Sequence, residues 1–317
     1  MALLEVRNLK IYYFTRAGAV KAVDDIDLDI EKNETLGLIG ESGCGKTTAV
    51  FAFLRFVTPP GRIVGGKIIF EGRDIIPLSD EEMRLLRGQG IAMVFQGAQN
   101  ALNPVMTVGN QISEVILEHE SLTKEEAWER AKEQLELVGI GSERVKNYPH
   151  EFSGGMKQRV MVAIATACNP RLLIMDEPVT GLDVIVQRQL LSLTNALREK
   201  MRLPIIFITH DLSVIAETCD NVAVMYAGKI VEQGSAVSLY KDPLHPYSKG
   251  LIGSYPSVRG EKKELKSIPG APPRLIDPPK GCRFSPRCAY AMDICRTEEP
   301  KLKNMGDNRM VACHLIK

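Results

Sequence analysis

Four apolar runs of strand length punctuate the first two-thirds of the chain, at residues 35–39, 91–95, 172–175 and 205–209. Each is followed at once by residues able to handle phosphate, metal or water: Gly40, Gln96, Asp176 with Glu177, and His210. Runs that are continuously apolar and separated by helical stretches predict a parallel sheet covered on both faces. Ligands bind such sheets beyond the carboxyl ends of the strands, so the four ends are expected to converge on one crevice. Residues 3–30 instead alternate apolar and polar positions around a turn at 17–19, the pattern of antiparallel strands, and residues 65–72 read as a further strand and turn. Between the second and third runs, residues 107–139 carry helical spacing. Ala127, Ala131, Leu135 and Val138 share one face behind a cap at Thr123, which predicts a helical insertion. Ser79 with Glu82 three residues on marks another helix start.

The first run leads into Gly40-Glu41-Ser42-Gly43-Cys44-Gly45-Lys46-Thr47-Thr48, which fits G-x-x-x-x-G-K-[ST] and precedes an apolar helix expected over 47–57. Its glycines let backbone N–H groups face an anion, and the helix adds the positive end of its dipole. Lys46 supplies a mobile charge for the β- and γ-phosphates, and Thr47 a hydroxyl for magnesium. This loop alone leaves kinases, GTPases and motor ATPases open.

Composition narrows the setting. The 317 residues are 44% hydrophobic, enough for one large domain or two. Forty basic against thirty-nine acidic residues give a charge of +1, which shows no footprint for nucleic acid. No apolar run approaches the ~18 residues that cross a bilayer, and no leader pattern opens the chain. A soluble protein is expected, with any membrane role passing through a partner. Cys44, Cys168 and Cys219 stand singly and read as buried thiols, whereas Cys282, Cys288, Cys295 and Cys313 crowd the end.

Two further constellations carry chemistry. Asp176 ends an apolar strand, where a carboxylate can hold magnesium, and Glu177 beside it can polarise an attacking water. Ser153-Gly154-Gly155-Met156 precede an apolar helix read over 160–168. The serine can cap it and the glycines leave its first N–H groups open to a second phosphate.

With these motifs in this order, residues 1–243 resemble the ATP-binding-cassette family of ATPases. The resemblance implies an α/β P-loop NTPase core with an antiparallel β subdomain, a helical insertion over about 97–160, and a small C-terminal extension. It implies that Tyr13 stacks on adenine and that Gln96 contacts magnesium and the attacking water. Glu177 would be the base, and His210 would bond the γ-phosphate and position Glu177. Ser153, Gly154, Gly155 and Met156 would serve the nucleotide of a second cassette, with Asp183 at the dimer seam. Cys44, where the family has a small residue, is a potential target of thiol reagents.

The tail, 244–317, carries His245-Pro246-Tyr247, a proline-rich stretch over 269–279, and the four cysteines with five, six and seventeen residues between them. Four thiolates can hold either zinc or a four-iron cluster, and spacing does not separate the two. The tail is similar to the C-terminal region of oligopeptide and dipeptide importer ATPases, and the resemblance implies a 4Fe-4S cluster, with zinc, or free thiols that merely pack, as the alternatives. It further implies ATP hydrolysis at the cytoplasmic face of the membrane, driving uptake of dipeptides or oligopeptides. The partners would be two permease subunits, a second ATPase in a homo- or heterodimer, and indirectly an extracytoplasmic binding protein. Import of an oligosaccharide or metal chelate, or a soluble cassette ATPase without a transporter, are the competing readings.

Overall fold

A computed structural model of the chain describes residues 2–97, 101–254 and 268–316. The parts of the expected insertion and extension at 98–100, 255–267 and Lys317 lie outside the described residues. In chain order the strands are β1 (Leu4–Thr15), β2 (Gly18–Ile30), β3 (Thr35–Ile39), β4 (Gly61–Phe70), β5 (Arg73–Asp74), β6 (Ile91–Val94), β7 (Leu172–Asp176), β8 (Ile205–Ile208), β9 (Asn221–Tyr226), β10 (Lys229–Ser235), β11 (Lys303–Asn304) and β12 (Met310–Val311). The helices are α1 (Lys46–Phe53), α2 (Asp80–Gln89), α3 (Val108–His119), α4 (Lys124–Leu137), α5 (Gly154–Thr166), α6 (Val184–Met201), α7 (Leu212–Thr218), α8 (Ala236–Lys241), α9 (Pro246–Gly253) and α10 (Ile294–Thr297). They divide into two compact units, Met1–Pro77 with Ile208–Lys317, and Leu78–Phe207.

In the first unit, the alternating N-terminal segment forms the expected hairpin, with β1 and β2 antiparallel from Leu4 opposite Ile30 to Thr15 opposite Gly18. Strands β4 and β5 extend it in the order β2-β1-β4-β5. The register shifts between Val6 and Leu9, where Asn8 takes a φ of +49°. That extra residue keeps Val6, Leu9 and Ile11 on one buried face. A second set of strands runs in the order β11-β12-β10-β9-β3. Strand β3 is parallel to β9, and the C-terminal strand β12 pairs antiparallel with β10 through Glu232–Val311 and Gln233–Met310.

The second unit carries strands in the order β8-β7-β6, with β6 and β7 parallel and all three wholly buried, as continuous apolar runs require. Helices α2 and α4 open on reciprocal capping boxes, Ser79 with Glu82 and Thr123 with Glu126. The expected apolar face of α4 is the buried one: Ala127, Ala131, Leu135 and Val138 are all 0% exposed. Truncating Leu135 to alanine there would cost ~2–5 kcal/mol. Among the described residues no helix is long and apolar enough to cross a membrane.

Two helix boundaries differ from the sequence expectation. Helix α1 stops at Phe53 rather than 57, because Arg55 turns left-handed at φ +53° and Pro59-Pro60 follow. Helix α5 starts at Gly154, six residues before the apolar stretch, because the Ser153 cap and not hydrophobicity sets its beginning.

Candidate nucleotide site

The phosphate loop of the first unit leaves the buried strand β3 and enters α1 at Lys46. Gly45 has φ +109°, and a Cβ there would stand 2.2 Å from the Ala22 carbonyl oxygen, so no side chain fits. Lys46 is 7% exposed and folds back on its own loop, donating from Nζ to the carbonyls of Gly40 at 2.8 Å and Glu41 at 3.1 Å. Ser42 and Gly43 lie exposed at the tip, and Thr47 and Thr48 are half-buried. His210, also exposed, lines a cleft with Gly40, Glu41 and Ser42, so the structure brings these predicted residues together.

Cys44 departs from the expectation of a reagent-sensitive thiol. It is 4% exposed, and burial pushes its thiol above the usual range even with Lys46 beside it.

On β1, the hydroxyl of Tyr12 donates to Asp24 at 2.6 Å, while Tyr13 is half-buried with its ring against Gly61. Phe14, which the sequence did not single out, is 49% exposed and has the Arg62 guanidinium 5.9 Å from its ring. Alternation along a strand end was the only signal for it.

In the second unit Asp176 closes β7 at 1% exposure, and Glu177 follows in a left-handed conformation, φ +47°. Such backbone costs a non-glycine residue about 1–3 kcal/mol and turns the side chain away from the strand. Gln96 Nε2 donates to Glu177 Oε2 at 3.0 Å, and Thr180 Oγ1 donates to the same oxygen at 3.0 Å. Gln96 and Glu177 were both expected in the site, whereas Thr180 was not.

Ser153 caps α5, its Oγ accepting from Met156 N at 3.3 Å, with Gly154 and Gly155 in the first turn. A Cβ on Gly155 would stand 2.3 Å from Val186, so this glycine is what lets α5 lie against the start of α6. Asp183 caps α6, accepting from Ile185 N and Val186 N at 3.1 and 3.0 Å. Beside it Val184 and Ile185 are 73% and 71% exposed.

In the extension the four thiols meet: Cys282, Cys288, Cys295 and Cys313 line one small, largely enclosed cavity with His245 and Phe284. All four are free of disulfides. Burial, with the neighbouring thiols adding to it, pushes Cys282 up to about 11, and Cys288 and Cys313 are raised by burial likewise. Among the described residues no group of three or more His, Cys, Asp or Glu side chains stands close enough to hold a metal ion, so side-chain geometry gives the expected metal no support.

Residues 23–180 match the family described as ABC transporter, and residues 231–295 match the oligopeptide/dipeptide transporter C-terminal region. The chain is 48% identical to the oligopeptide transport ATP-binding protein OppD of Bacillus subtilis, across 99% of this chain and 89% of that one. It is 46% identical to OppD of Salmonella typhimurium, across 98% and 93%. Among solved structures, it is similar to the dimeric post-hydrolysis form of the ATP-binding cassette MJ0796 bound to ADP and Pi, with a TM-score of 0.66 and 24% identity across 74% of this chain and 98% of that one. That likeness is one of fold.

Proposed function

The chain belongs to the ATP-binding subunits of ABC transporters, and from that premise we propose that it hydrolyses ATP to power uptake of dipeptides and oligopeptides through a membrane transporter. One observation carries the choice of solute: the match to the oligopeptide/dipeptide transporter C-terminal region, over residues that an ATPase core does not need. Residues 1–243 are then the ATPase module and 244–317 the extension.

The Lys46 ammonium and the loop N–H groups take the phosphates, and Tyr13 takes the adenine. Thr47, Gln96 and Asp176 would be the ligands of a magnesium ion bound with the nucleotide, since hydroxyl, amide and carboxylate oxygens are the hard donors that ion prefers. Glu177 accepts the proton of the attacking water, its carboxylate steered by Gln96 and Thr180. His210 donates to the γ-phosphate. Ser153, Gly154, Gly155 and Met156 serve the nucleotide of a second ATPase subunit, like or unlike this one. The adjacent exposed apolar pair Val184 and Ile185 beside Asp183 is in keeping with a seam there. Two permease subunits complete the transporter at the cytoplasmic face of the membrane, and a binding protein outside delivers the peptide.

For the extension we propose a 4Fe-4S cluster on Cys282, Cys288, Cys295 and Cys313. Four cysteines brought to one cavity are the donor type such a cluster takes, which supports it although their present spacing does not form a site, and zinc or free thiols are the alternatives. Protein purified without air should be brown and bleach on dithionite; colourless protein carrying one zinc would replace the cluster with that ion.

Peptide uptake by cells lacking this chain tests the main reading. Restored uptake with the wild-type chain, and none with Glu177→Gln, is the expected result. Restored uptake of an oligosaccharide or metal chelate instead would reassign the solute, and ATP hydrolysis with no membrane partner on purification would favour a soluble ATPase.

A further inference from the structure

Glu41 places a carboxylate on the loop that must receive a polyanion, and the structure gives it an unusual partner. Arg287, 246 residues further along the chain, meets it with a two-pronged guanidinium: Nη1 donates to Oε2 at 2.7 Å and Nη2 to Oε1 at 3.0 Å. The arginine is held hard in place. Its Nε donates to the Pro269 carbonyl at 2.8 Å, its side chain is 5% exposed, and the guanidinium lies 5.8 Å from the Tyr226 ring centroid. The pairing with Glu41 raises the arginine further above its already high range, so its charge is permanent.

The main chain of Glu41 is held as well. Its N–H donates to the Tyr247 hydroxyl at 2.8 Å, from a residue 206 positions away. Tyr247 is wholly buried, with ring centroids 4.6 Å from Tyr226 and 5.5 Å from Phe284. Phe284 also lines the cavity of the four thiols, and Arg287 is the neighbour of Cys288, so the seat of this clamp and the cysteine cavity share one stretch of chain.

Building on the nucleotide-binding reading, we propose that Arg287 and Tyr247 are positioning residues of the phosphate loop. Arg287 cancels a carboxylate that would otherwise repel the nucleotide phosphates, and Tyr247 fixes the backbone of the same residue. The C-terminal extension thereby helps to hold the loop in its binding shape. A bidentate arginine–carboxylate pair of this kind is both strong and geometrically strict.

The test uses the full-length chain, with displacement of a fluorescent ATP analogue by ATP and steady-state hydrolysis. Arg287→Ala is expected to raise the ATP dissociation constant and KM by about tenfold or more, corresponding to ~1.4 kcal/mol or more, with kcat at saturation changed much less. Adding Glu41→Gln to Arg287→Ala removes the exposed charge and should recover most of the lost affinity. A residue that merely supports folding would lower the active fraction without moving the dissociation constant, and Glu41→Gln would not rescue it. Unchanged ATP affinity in Arg287→Ala, or no recovery in the double variant, overturns the proposal. Should Arg287→Ala not fold, Arg287→Gln removes the charge while keeping a polar side chain, and Tyr247→Phe removes the hydroxyl. Affinities equal to wild type in both would overturn the proposal equally. Failure of the wild-type chain to bind ATP would instead remove the nucleotide reading, and this inference with it.

Discussion

Gln96 and Glu177, 81 residues apart, are joined by a hydrogen bond of 3.0 Å from the amide Nε2 to the carboxylate Oε2. Thr180 donates to that same oxygen, so one face of the carboxylate is fixed by two donors while the residue sits in a strained left-handed backbone. A group held this way is oriented, which is what a general base needs. Glu177→Gln should retain ATP and lower hydrolysis by about 10²- to 10⁴-fold, the usual worth of a positioned base. Thr180→Val should lower kcat by a smaller factor with KM for ATP little changed. Turnover in Glu177→Gln equal to wild type would take the base role away from this residue.

Ser153 offers a way to separate capping from catalysis. Its Oγ accepts from Met156 N, so Ser153→Ala should cost ~1 kcal/mol of stability, seen as a lower melting temperature. Ser153→Asp keeps the cap, because a carboxylate accepts the same N–H, yet sets a negative charge where a phosphate would arrive. Near-native melting with hydrolysis lost in the assembled dimer is the expected outcome for the aspartate variant. If that variant hydrolysed ATP normally, this helix start would be a structural cap alone.

The parts legible from sequence were those whose cause is local. Strand, loop and helix around Lys46 follow from an apolar run, glycines and a helix-forming stretch within twenty residues. The boxes at Ser79 and Thr123 are fixed by residues three apart, and the buried face of α4 by spacing alone. What escaped has its cause elsewhere. The Ser153 cap of α5 is legible in the sequence, but the close approach of Val186 that requires a glycine at 155 is not. The pairing of Glu41 with Arg287 spans 246 residues, and neither residue's neighbours announce it. Thr180 has no role legible in the sequence, and its hydroxyl is found on Glu177 only because a turn of three residues brings it there.

Cys44 illustrates how burial overrides position. A thiol in a glycine-rich phosphate loop invites the expectation of reactivity, but the thiolate is the reactive form and burial disfavours it here. Alkylation by a maleimide at neutral pH, followed by peptide mass spectrometry, should modify Cys44 at least about tenfold more slowly in the native protein than in urea, as expected for an inert buried thiol. Equal rates in the two conditions would mean that the loop opens far more readily than its packing indicates.

His119 makes the second unit sensitive to mild acid. It ends α3 with its ring over Gly88, where a Cβ would stand 2.7 Å from Nε2, and its Nδ1 is buried with no hydrogen-bond partner among the described residues. Burial lowers its pKa below 6.5; Arg84 works in the same direction, while Glu118 and Glu120 oppose it without prevailing. The unfolded chain therefore takes up the proton first as pH falls through about 6.5, which draws the equilibrium toward the unfolded state. This contribution to stability is full at neutral pH and declines on acidification from that point. Between pH 7.5 and pH 5.5, the wild-type chain should lose more melting temperature than His119→Gln, which has no proton to gain there. Parallel pH profiles for the two proteins would show that the imidazole is as readily protonated folded as unfolded, and that the packing over Gly88 does not restrain it.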